Sequence, residues 1–233
     1  MIFKPKGPQD LEQLTRSIQE CRKCPRLVEW REQVGRVKRR AYLAEDYWAK
    51  PVPGFGDPQA RILVVGLAPG AHGSNRTGRM FTGDESGNFL FPALWRAGFA
   101  SLPCSSKRED GLELKGIWIT AVCRCVPPDN KPNRDEINQC RSFLDQELAF
   151  FTNLKGIVAL GKVAFDEVIK YRIFGQNLKK ILIFKHGGFI PTGIQQPWIL
   201  ASYHPSRQNT QTGRLTQGMF DQIWKKVNQL LLD

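Results

Sequence analysis

The sequence has no run of about 18 apolar residues, the length that a membrane-spanning helix needs. Its first residues, MIFKPKGP, also lack the apolar stretch of a secretory signal. Acidic residues are few: 22 Asp and Glu stand against 34 Lys and Arg, which gives a formal net charge of +12. We therefore expect a cytoplasmic protein without a transmembrane helix, and its basic excess favours a polyanionic partner or an anionic membrane surface.

Internal repeats and low-complexity segments are also absent from the 233 residues. Hydrophobic residues make up 41% and charged residues 24%, which is typical of a folded globular chain and not of a disordered one. We predict a single domain over residues 1–233, a length that suits one large domain. Residues 1–50 form its basic helical part, and a loop rich in proline and glycine at residues 51–58 leads into the body.

Apolar runs in the body alternate with helical patterns. Buried strands are predicted at residues 62–67, 117–122, 157–161 and 198–202, with a hairpin or edge strand at residues 181–184. Helices are predicted at residues 9–20, 26–40, 88–97, 135–151, 163–171 and 216–232. This alternation predicts an α/β fold in which helices cover both faces of a parallel sheet. Ligands of such folds bind at the carboxyl ends of the strands, where two unusual loops lie, at residues 68–87 and 203–213.

Six cysteines are present, and in the cytoplasm they are more often metal ligands or free thiols than disulfides. Cys21 and Cys24 form a C-x-x-C pair after the first predicted helix, and Cys125 and Cys140 lie in the body. Two adjacent ligands joined by two distant ones favour a four-sulfur site for zinc or an iron–sulfur cluster. The alternatives are a redox pair, or buried cysteines that act as small apolar side chains. The cysteines not expected to be ligands are Cys104 and Cys123.

The loop after the first strand is rich in glycine: residues 66–84 are GLAPGAHGSNRTGRMFTGD. It has neither the P-loop ending nor the dinucleotide glycine spacing. Glycines let a backbone approach a ligand closely, Arg76 and Arg79 are candidates for phosphate binding, and Asp84 is a candidate carboxylate. In the second loop, His204 directly follows a strand and precedes a proline, whereas His72 is interpreted as structural.

Three segments together resemble the uracil-DNA glycosylase superfamily, and within it family 5, the iron–sulfur glycosylases of broad specificity. Residues 66–84 resemble the first motif of that family. Residues 125–132 (CVPPDNKP) resemble its central cysteine segment, and residues 204–209 (HPSRQN) its second motif. The resemblance extends from Cys21 to the last predicted helix, with the motifs in the order of the family.

This resemblance implies a three-layer α/β/α sandwich around a four-stranded parallel sheet, and a [4Fe–4S] cluster on Cys21, Cys24, Cys125 and Cys140. It implies a DNA-repair enzyme that hydrolyses the N-glycosidic bond of uracil in double-stranded DNA and leaves an abasic site. Hypoxanthine and related deaminated bases are further expected substrates, because family 5 is permissive. No lysine is obviously placed for a Schiff base, so we expect a monofunctional glycosylase, which acts as a monomer.

Three positions separate this chain from related families. Family 4 has a glutamate where this chain has Leu67, and family 1 has a water-activating aspartate where this chain has Ala68. Family 4 also has a base-reading asparagine four residues before the third cluster cysteine, which is Ala121 here. Loss of a paired polar group relaxes the discrimination between bases, so these positions agree with family 5.

The chemistry implied by the resemblance assigns roles to residues of the motifs. A base inside a duplex must be flipped into a pocket, and Gly66, Ala68, Phe81 and His204 are predicted to bind it. His204 is also predicted to stabilise the leaving base anion. Asp84 is predicted to stabilise the cationic sugar and to orient water, because glycoside cleavage passes through an oxocarbenium-like state. Asn130 is the weaker candidate for placing the water or the base.

The predicted DNA contacts lie in both motif loops and in the basic N-terminal helix. Arg207, Gln208 and Asn209 are predicted to fill the space that the flipped base leaves. Phosphate contacts, which make binding depend steeply on salt, are assigned to Arg76, Arg79, Ser206 and the basic helix at residues 26–40. For Arg36, Lys38, Arg39 and Arg40 of that helix, a solvated charged face is the alternative.

Two other classes of protein compete with this interpretation. One is a zinc-stabilised nucleic-acid-binding module without catalysis, and colour distinguishes it, since zinc does not absorb visible light as an oxidised iron–sulfur cluster does. The other is a nucleotide-binding α/β enzyme, against which the missing phosphate-binding spacings count.

Overall fold

The structure is a computed structural model that describes residues 8–170, 183–191 and 196–232. Within these residues, six strands form one mixed sheet in the order β1-β3-β2-β4-β6-β5. The strands are β1 (Phe55–Gly56), β2 (Ile62–Gly66), β3 (Ile117–Ala121), β4 (Gly156–Leu160), β5 (Phe189–Ile190) and β6 (Trp198–Ser202). The four central strands are parallel, and β1 and β5 pair antiparallel at the two edges.

The α/β prediction and the four central parallel strands are confirmed, but the sheet is wider than predicted. Strand β1 lies in the segment that proline and glycine mark as a loop. The edge strand expected at residues 181–184 is wrong in its described half, because Ile183 and Phe184 are not in a strand and the edge strand is β5 instead. Residues 181–182 lie outside the described residues.

The helices lie on both faces of the sheet. They are α1 (Pro8–Gln19), α2 (Pro25–Val37), α3 (Ser74–Thr77), α4 (Glu85–Arg96), α5 (Arg134–Phe150), α6 (Lys162–Val168), α7 (Arg207–Gln211) and α8 (Gln217–Leu232), with 3₁₀ turns at Arg40–Tyr42 and Pro128–Asn130. Helix α2 ends three residues before the predicted residue 40, because Lys38 has φ 54°, which is not helical. Helix α6 ends at Val168 and residues 169–170 form a turn, so the helix predicted at residues 163–171 is too long; residue 171 itself lies outside the described residues.

Alternation along each strand sends successive side chains to the two layers. Ile62 and Val64 pack in the core that α4 and α8 cover, whereas Leu63 and Val65 pack in the core that α5 and α6 cover. All five residues of β2 are buried, as the apolar run predicts. The three-layer sandwich is thereby confirmed.

The N-terminal helices join this sandwich on one side. Helix α1 packs against α5, and α2 packs against α3 of the glycine-rich loop. Cys24 is the residue before the first turn of α2, and Pro25 follows it at a position that tolerates proline. No helix in the described part of the chain is long and apolar enough to cross a membrane.

Candidate active site

A cavity of about 740 Å³ lies at the carboxyl ends of the parallel strands. Leu67 and Ala68 after β2, Ala121 at the end of β3, and His204 after β6 all line it. The 3₁₀ turn with Asn130 closes another side. The volume is in the range of about 300–1,000 Å³ that small-molecule sites occupy, so the tertiary structure unites the three segments that the sequence singles out.

Eight of the predicted site residues line this cavity, and four are not among its lining. The catalytic and binding roles of the residues that line the cavity stay predictions. The lining residues are Ala68, Phe81, Asp84, Asn130, His204, Ser206, Arg207 and Gln208. The others are Gly66, Arg76, Arg79 and Asn209.

His204 is held between the two motif loops. Its ring stacks on Phe81 with 5.8 Å between ring centroids and 27° between planes. The Asn209 amide donates a hydrogen bond to the His204 carbonyl oxygen over 2.8 Å. Burial lowers the pKa of His204 from 6.5 to about 4, because a low-dielectric environment disfavours the charged ring. The imidazole is therefore neutral near pH 7, with one ring nitrogen as a donor.

Phe81 adopts a backbone conformation that is rare outside glycine, with φ 55°. Its ring covers Gly66, where an added Cβ would come within 2.9 Å of the ring. Gly66 therefore makes room for Phe81 and is not part of the cavity wall. The predicted base contact of Gly66 is corrected to this indirect one.

Asp84 has two structural contacts in addition to its place in the cavity wall. It is the N-cap residue of α4, where Oδ1 accepts a hydrogen bond from the Gly87 backbone N–H over 3.1 Å. Oδ2 lies so close to Gly73 that any Cβ there would overlap it. Burial raises the pKa of Asp84, and the backbone N–H groups of Gly87 and Ser86 oppose this rise only in part.

Arg76 and Arg79 are buried, and protein groups occupy their guanidinium donors. Arg76 donates to the His72 carbonyl oxygen over 2.7 Å and pairs with Glu45. Arg79 donates to the Arg108 carbonyl oxygen over 2.7 Å, and its Nη2 is 2.5 Å from Oδ1 of Asp110. The predicted phosphate role is corrected for both, because these contacts hold the glycine-rich loop together and leave little surface for DNA.

In the turn after His204, two of the predicted residues make structural hydrogen bonds and two are exposed. Ser206 caps α7 by accepting from the Asn209 backbone N–H over 3.5 Å, and Asn209 holds the His204 carbonyl oxygen. Asn209 therefore supports His204, which corrects its predicted place beside the flipped base. Arg207 and Gln208 are exposed and border the cavity, where DNA has access to them.

Several lining residues escaped the sequence analysis. Asp129 precedes Asn130, and both have positive φ values of 53° and 56°. Because Asp129 directly precedes the predicted site residue Asn130, its place in the cavity wall could have been predicted from the sequence. Tyr42 reaches the cavity from the N-terminal part without any sequence signal, and Arg39, which is predicted from the sequence as a phosphate contact, also lines the cavity. His72 also lines the cavity, and its Nδ1 is 3.0 Å from the Tyr47 hydroxyl.

The four predicted cluster cysteines come together from the N-terminal part and from the middle of the chain. The pKa of Cys24 is raised to about 11, by burial first and then by the charges of Cys140 and Cys21. Burial also raises the pKa of Cys125 to about 12; the neighbouring Arg31 opposes this rise, and Cys140 and Cys21 add to it. Cys24 and Cys125 are thus each within electrostatic reach of Cys21 and Cys140. Within the described residues, no group of three or more His, Cys, Asp or Glu side chains forms a single-ion metal site.

Two further residues touch this cysteine set. Arg31, which is 2% exposed, donates from Nη1 to Cys125 Sγ over 3.0 Å and to the Cys21 carbonyl oxygen over 3.2 Å. Cys123 is buried in the same core cluster as Cys140 and interacts with it electrostatically, so this cysteine is a neighbour of the set. A buried guanidinium beside thiolates offsets their negative charge.

Comparison with known proteins gives these sites a family. The sequence profile of the Uracil DNA glycosylase superfamily matches residues 53–228. A type-5 uracil-DNA glycosylase of Thermus thermophilus is 50% identical over 222 residues, which cover 95% of this chain and 98% of the relative. The chain belongs to the type-5 family of the uracil-DNA glycosylase superfamily.

Other relatives agree with this family. A type-5 uracil-DNA glycosylase of Mycobacterium leprae is 46% identical, with 96% of this chain and 97% of the relative covered. In Pyrobaculum aerophilum, a type-5 enzyme is 43% identical over 97% of this chain and 95% of the relative, whereas a type-4 enzyme is 29% identical over 84% and 83%. The higher similarity to type-5 enzymes agrees with Leu67 and Ala121, which depart from the family 4 motif.

The cysteine set of this family member fits an iron–sulfur cluster. Its donors are all sulfur, which is the ligand set of such clusters. They are gathered from α1–α2 and from the segment around α5, and Arg31 donates to one sulfur. Cys21, Cys24, Cys125 and Cys140 are the residues that would hold the group.

Proposed function

We propose that the protein removes uracil, and also hypoxanthine and related deaminated bases, from double-stranded DNA by hydrolysis of the N-glycosidic bond. The observation that carries this proposal is the meeting of both motif loops and Asn130 around one cavity. The formal charge of +12 suits a polyanionic substrate. The activity leaves an abasic site without cutting the strand.

The cavity accepts a base only after the nucleotide leaves the duplex. Its wall offers the Phe81 ring on one side and the small Ala68 and Ala121 on others. Phe81, Ala68 and Ala121 have no polar side-chain group that could read the edge of a base, which favours a pocket that accepts several bases.

His204 stabilises the leaving base in this mechanism. Its neutral imidazole donates a hydrogen bond to the base as negative charge develops there. Because the imidazole is neutral, it acts as a hydrogen-bond donor and does not protonate the base before the glycosidic bond breaks. Stacking on Phe81 restricts the ring before the substrate arrives, and the hydrogen bond from Asn209 holds the His204 backbone in place.

Asp84 stabilises the opposite charge. Its carboxylate faces the cavity from the first turn of α4 and supplies negative charge to the oxocarbenium-like sugar. It also orients the attacking water, with Asn130 as a second group for placing it. Asp129 is a further acid in the same wall.

We propose that Cys21, Cys24, Cys125 and Cys140 hold a [4Fe–4S] cluster with a structural role. Because these cysteines come from the N-terminal part and from the sandwich, a bound cluster would link α1 and α2 to the sandwich. Arg31 sits beside it and offsets thiolate charge. We propose that the enzyme acts as a monomer in the cytoplasm, on the chromosome.

Labelled duplexes with one uracil or one hypoxanthine test this function. Alkali treatment of the products reveals abasic sites as strand breaks, and omission of alkali checks for intrinsic strand cleavage. We expect breaks with both bases, only after alkali. Breaks with uracil alone restrict the substrate and contradict the role of Ala121, and a folded, brown protein that makes none is a binding module without catalysis.

A further inference from the structure

Residues 36–43 (RVKRRAYL), called the rim segment below, expose two large apolar side chains. Val37 is 68% exposed and Leu43 is 59% exposed. Exposed Arg36, Arg39 and Arg40 lie between and beside them. Single exposed apolar residues are ordinary, but two of them among three exposed arginines, next to a cavity, call for a physical account.

The rim segment borders the candidate active site. Arg39 and Tyr42 line the cavity directly, so the neighbouring Leu43 lies close to its edge. Lys38 Nζ donates to the Leu43 carbonyl oxygen over 3.3 Å, which ties the end of the segment back to its start. Three exposed arginines and two exposed apolar side chains therefore share one short segment beside the cavity mouth.

The segment is fastened to the glycine-rich loop. The Arg76 guanidinium lies 4.0 Å from the centre of the Tyr42 ring. Immediately after the segment, the Trp48 backbone N–H donates to the Arg76 carbonyl oxygen over 2.8 Å, and the Ala49 backbone N–H donates to the Asn75 carbonyl oxygen over 3.0 Å. A partner that binds here meets a preformed surface and loses little conformational entropy.

The charges of the rim segment favour a nucleic acid. The nearby acids include Glu45, which pairs with Arg76, and Asp46, whose carboxylate lies 3.9 Å from Lys38 Nζ. Glu32 pairs with Arg22 and lies within electrostatic reach of Arg36, and Asp84, Glu85 and Asp129 share the cavity wall with Arg39. Arg36, Arg39 and Arg40 thus add a positive excess at the mouth. Proteins that extrude or kink DNA commonly combine basic phosphate contacts with an apolar side chain that packs between base steps.

We propose that the rim segment is a second DNA-contacting element, separate from the turn after His204. Its arginines contact phosphates, and Leu43 packs against the bases or sugars next to the extruded nucleotide. This inference rests on the proposed function, since it assumes a duplex opened at the cavity. Helix α2, fixed at one end by the cysteine set, carries the segment at its other end.

A duplex with a tetrahydrofuran abasic analogue tests the role of Leu43 without any need for catalysis. With 2-aminopurine beside the analogue, fluorescence rises when that base loses its stacking. We expect Leu43→Ala to weaken binding about tenfold and to remove most of the fluorescence rise. Leu232→Ala is the matched control, because Leu232 is 89% exposed at the end of α8. Wild-type fluorescence in Leu43→Ala overturns the packing role, whatever its affinity.

The arginines are tested by salt dependence. We expect the double variant Arg39→Ala/Arg40→Ala to reduce the slope of log K against log salt by about 1–2, because each phosphate contact contributes about 0.9. Arg16→Ala in α1 is the control, and its slope should equal that of the wild type. An unchanged slope in the double variant overturns the phosphate role. Cleavage of uracil duplexes by the wild-type protein is measured in parallel. If the wild-type protein does not cleave, the proposed function is overturned. If it cleaves and the variants bind as the wild type does, only the proposal for the rim segment fails.

Discussion

Phe81 and His204 stack with 5.8 Å between their ring centroids and join the loop after β2 to the loop after β6. The contact gives the imidazole an apolar neighbour and restricts its rotation. Burial keeps the pKa of His204 at about 4, so the ring is neutral where the enzyme works. The charge state of the proposed donor is therefore set by tertiary packing.

We predict that His204 stays neutral down to about pH 4 in the folded protein. Its unfolded pKa is about 6.5, so the unfolded chain takes up the proton first as the pH falls. The contribution of His204 to stability is thus complete above about pH 6.5 and is lost as the pH falls towards 4. NMR titration of labelled histidines, assigned with His204→Gln, measures this value. A titration midpoint near 6.5 would contradict the burial of the ring.

Asp84→Asn should lose activity without loss of stability. Asparagine caps a helix about as well as aspartate, and the substitution removes only the negative charge. We expect the single-turnover rate for uracil to fall by about 10²–10³, as for other lost electrostatic contacts in active sites. DNA affinity and the unfolding free energy should stay close to those of the wild type.

Asp84→Ala, in contrast, should lose both properties. It removes the cap of α4 as well as the charge, so we expect an additional loss of about 0.5–2 kcal/mol in the free energy of unfolding. Chemical denaturation of the two variants separates the cap from the charge. Near-wild-type activity in Asp84→Asn would sink the catalytic assignment.

Ala121→Asn should make the enzyme more selective for uracil. Ala121 is buried in the cavity wall, and an amide there adds groups that read a base edge. We expect the hypoxanthine rate to fall at least about tenfold relative to the uracil rate. Ala121→Val is the control for added volume, and an equal change of the two rates in both variants would show a steric effect alone.

Cys21→Ser should remove the cluster. We expect loss of the brown colour, loss of bound iron and a lower melting temperature, because the link between the N-terminal helices and the sandwich is broken. Cys104→Ser is the matched control, since Cys104 is exposed and not in the cysteine set. Metal analysis that finds zinc and no iron in the wild type would favour the zinc-stabilised alternative.

Arg79→Met and Arg207→Ala should have opposite effects. Arg79 is buried against Asp110 and, with backbone N–H groups, holds the pKa of Asp110 at about 2 in spite of burial. Loss of Arg79 leaves the Asp110 carboxylate with backbone donors alone, so we expect stability to fall by about 1–3 kcal/mol. The slope of log K against log salt for DNA binding should be the same in Arg79→Met as in the wild type. Arg207 is exposed, so Arg207→Ala should keep stability and lower the slope by about 1. Thermal denaturation and salt-dependent binding distinguish the two.

Local patterns explain which predictions agree with the structure. The apolar runs of β2 and β3 and the Asn133–Glu136 capping box of α5 are encoded by adjacent residues, and such signals can be found in one chain. The partners of Arg76 and Arg79 cannot be predicted in this way, because Glu45 and Asp110 lie in segments far from them in the sequence. An arginine in a glycine-rich loop gives the same pattern whether it faces phosphate or the protein interior.

The α/β class, the family and the three motif segments that line most of the cavity could be predicted from the sequence, because strand hydrophobicity and loop motifs are properties of short segments. What each residue contacts there depends on the tertiary structure. It buried two arginines, turned Asn209 towards His204, placed Gly66 behind Phe81, and brought Arg39 and Tyr42 from the N-terminal part to the cavity. These outcomes depend on which distant segments the sheet and its covering helices bring together, and burial and pKa follow from that packing.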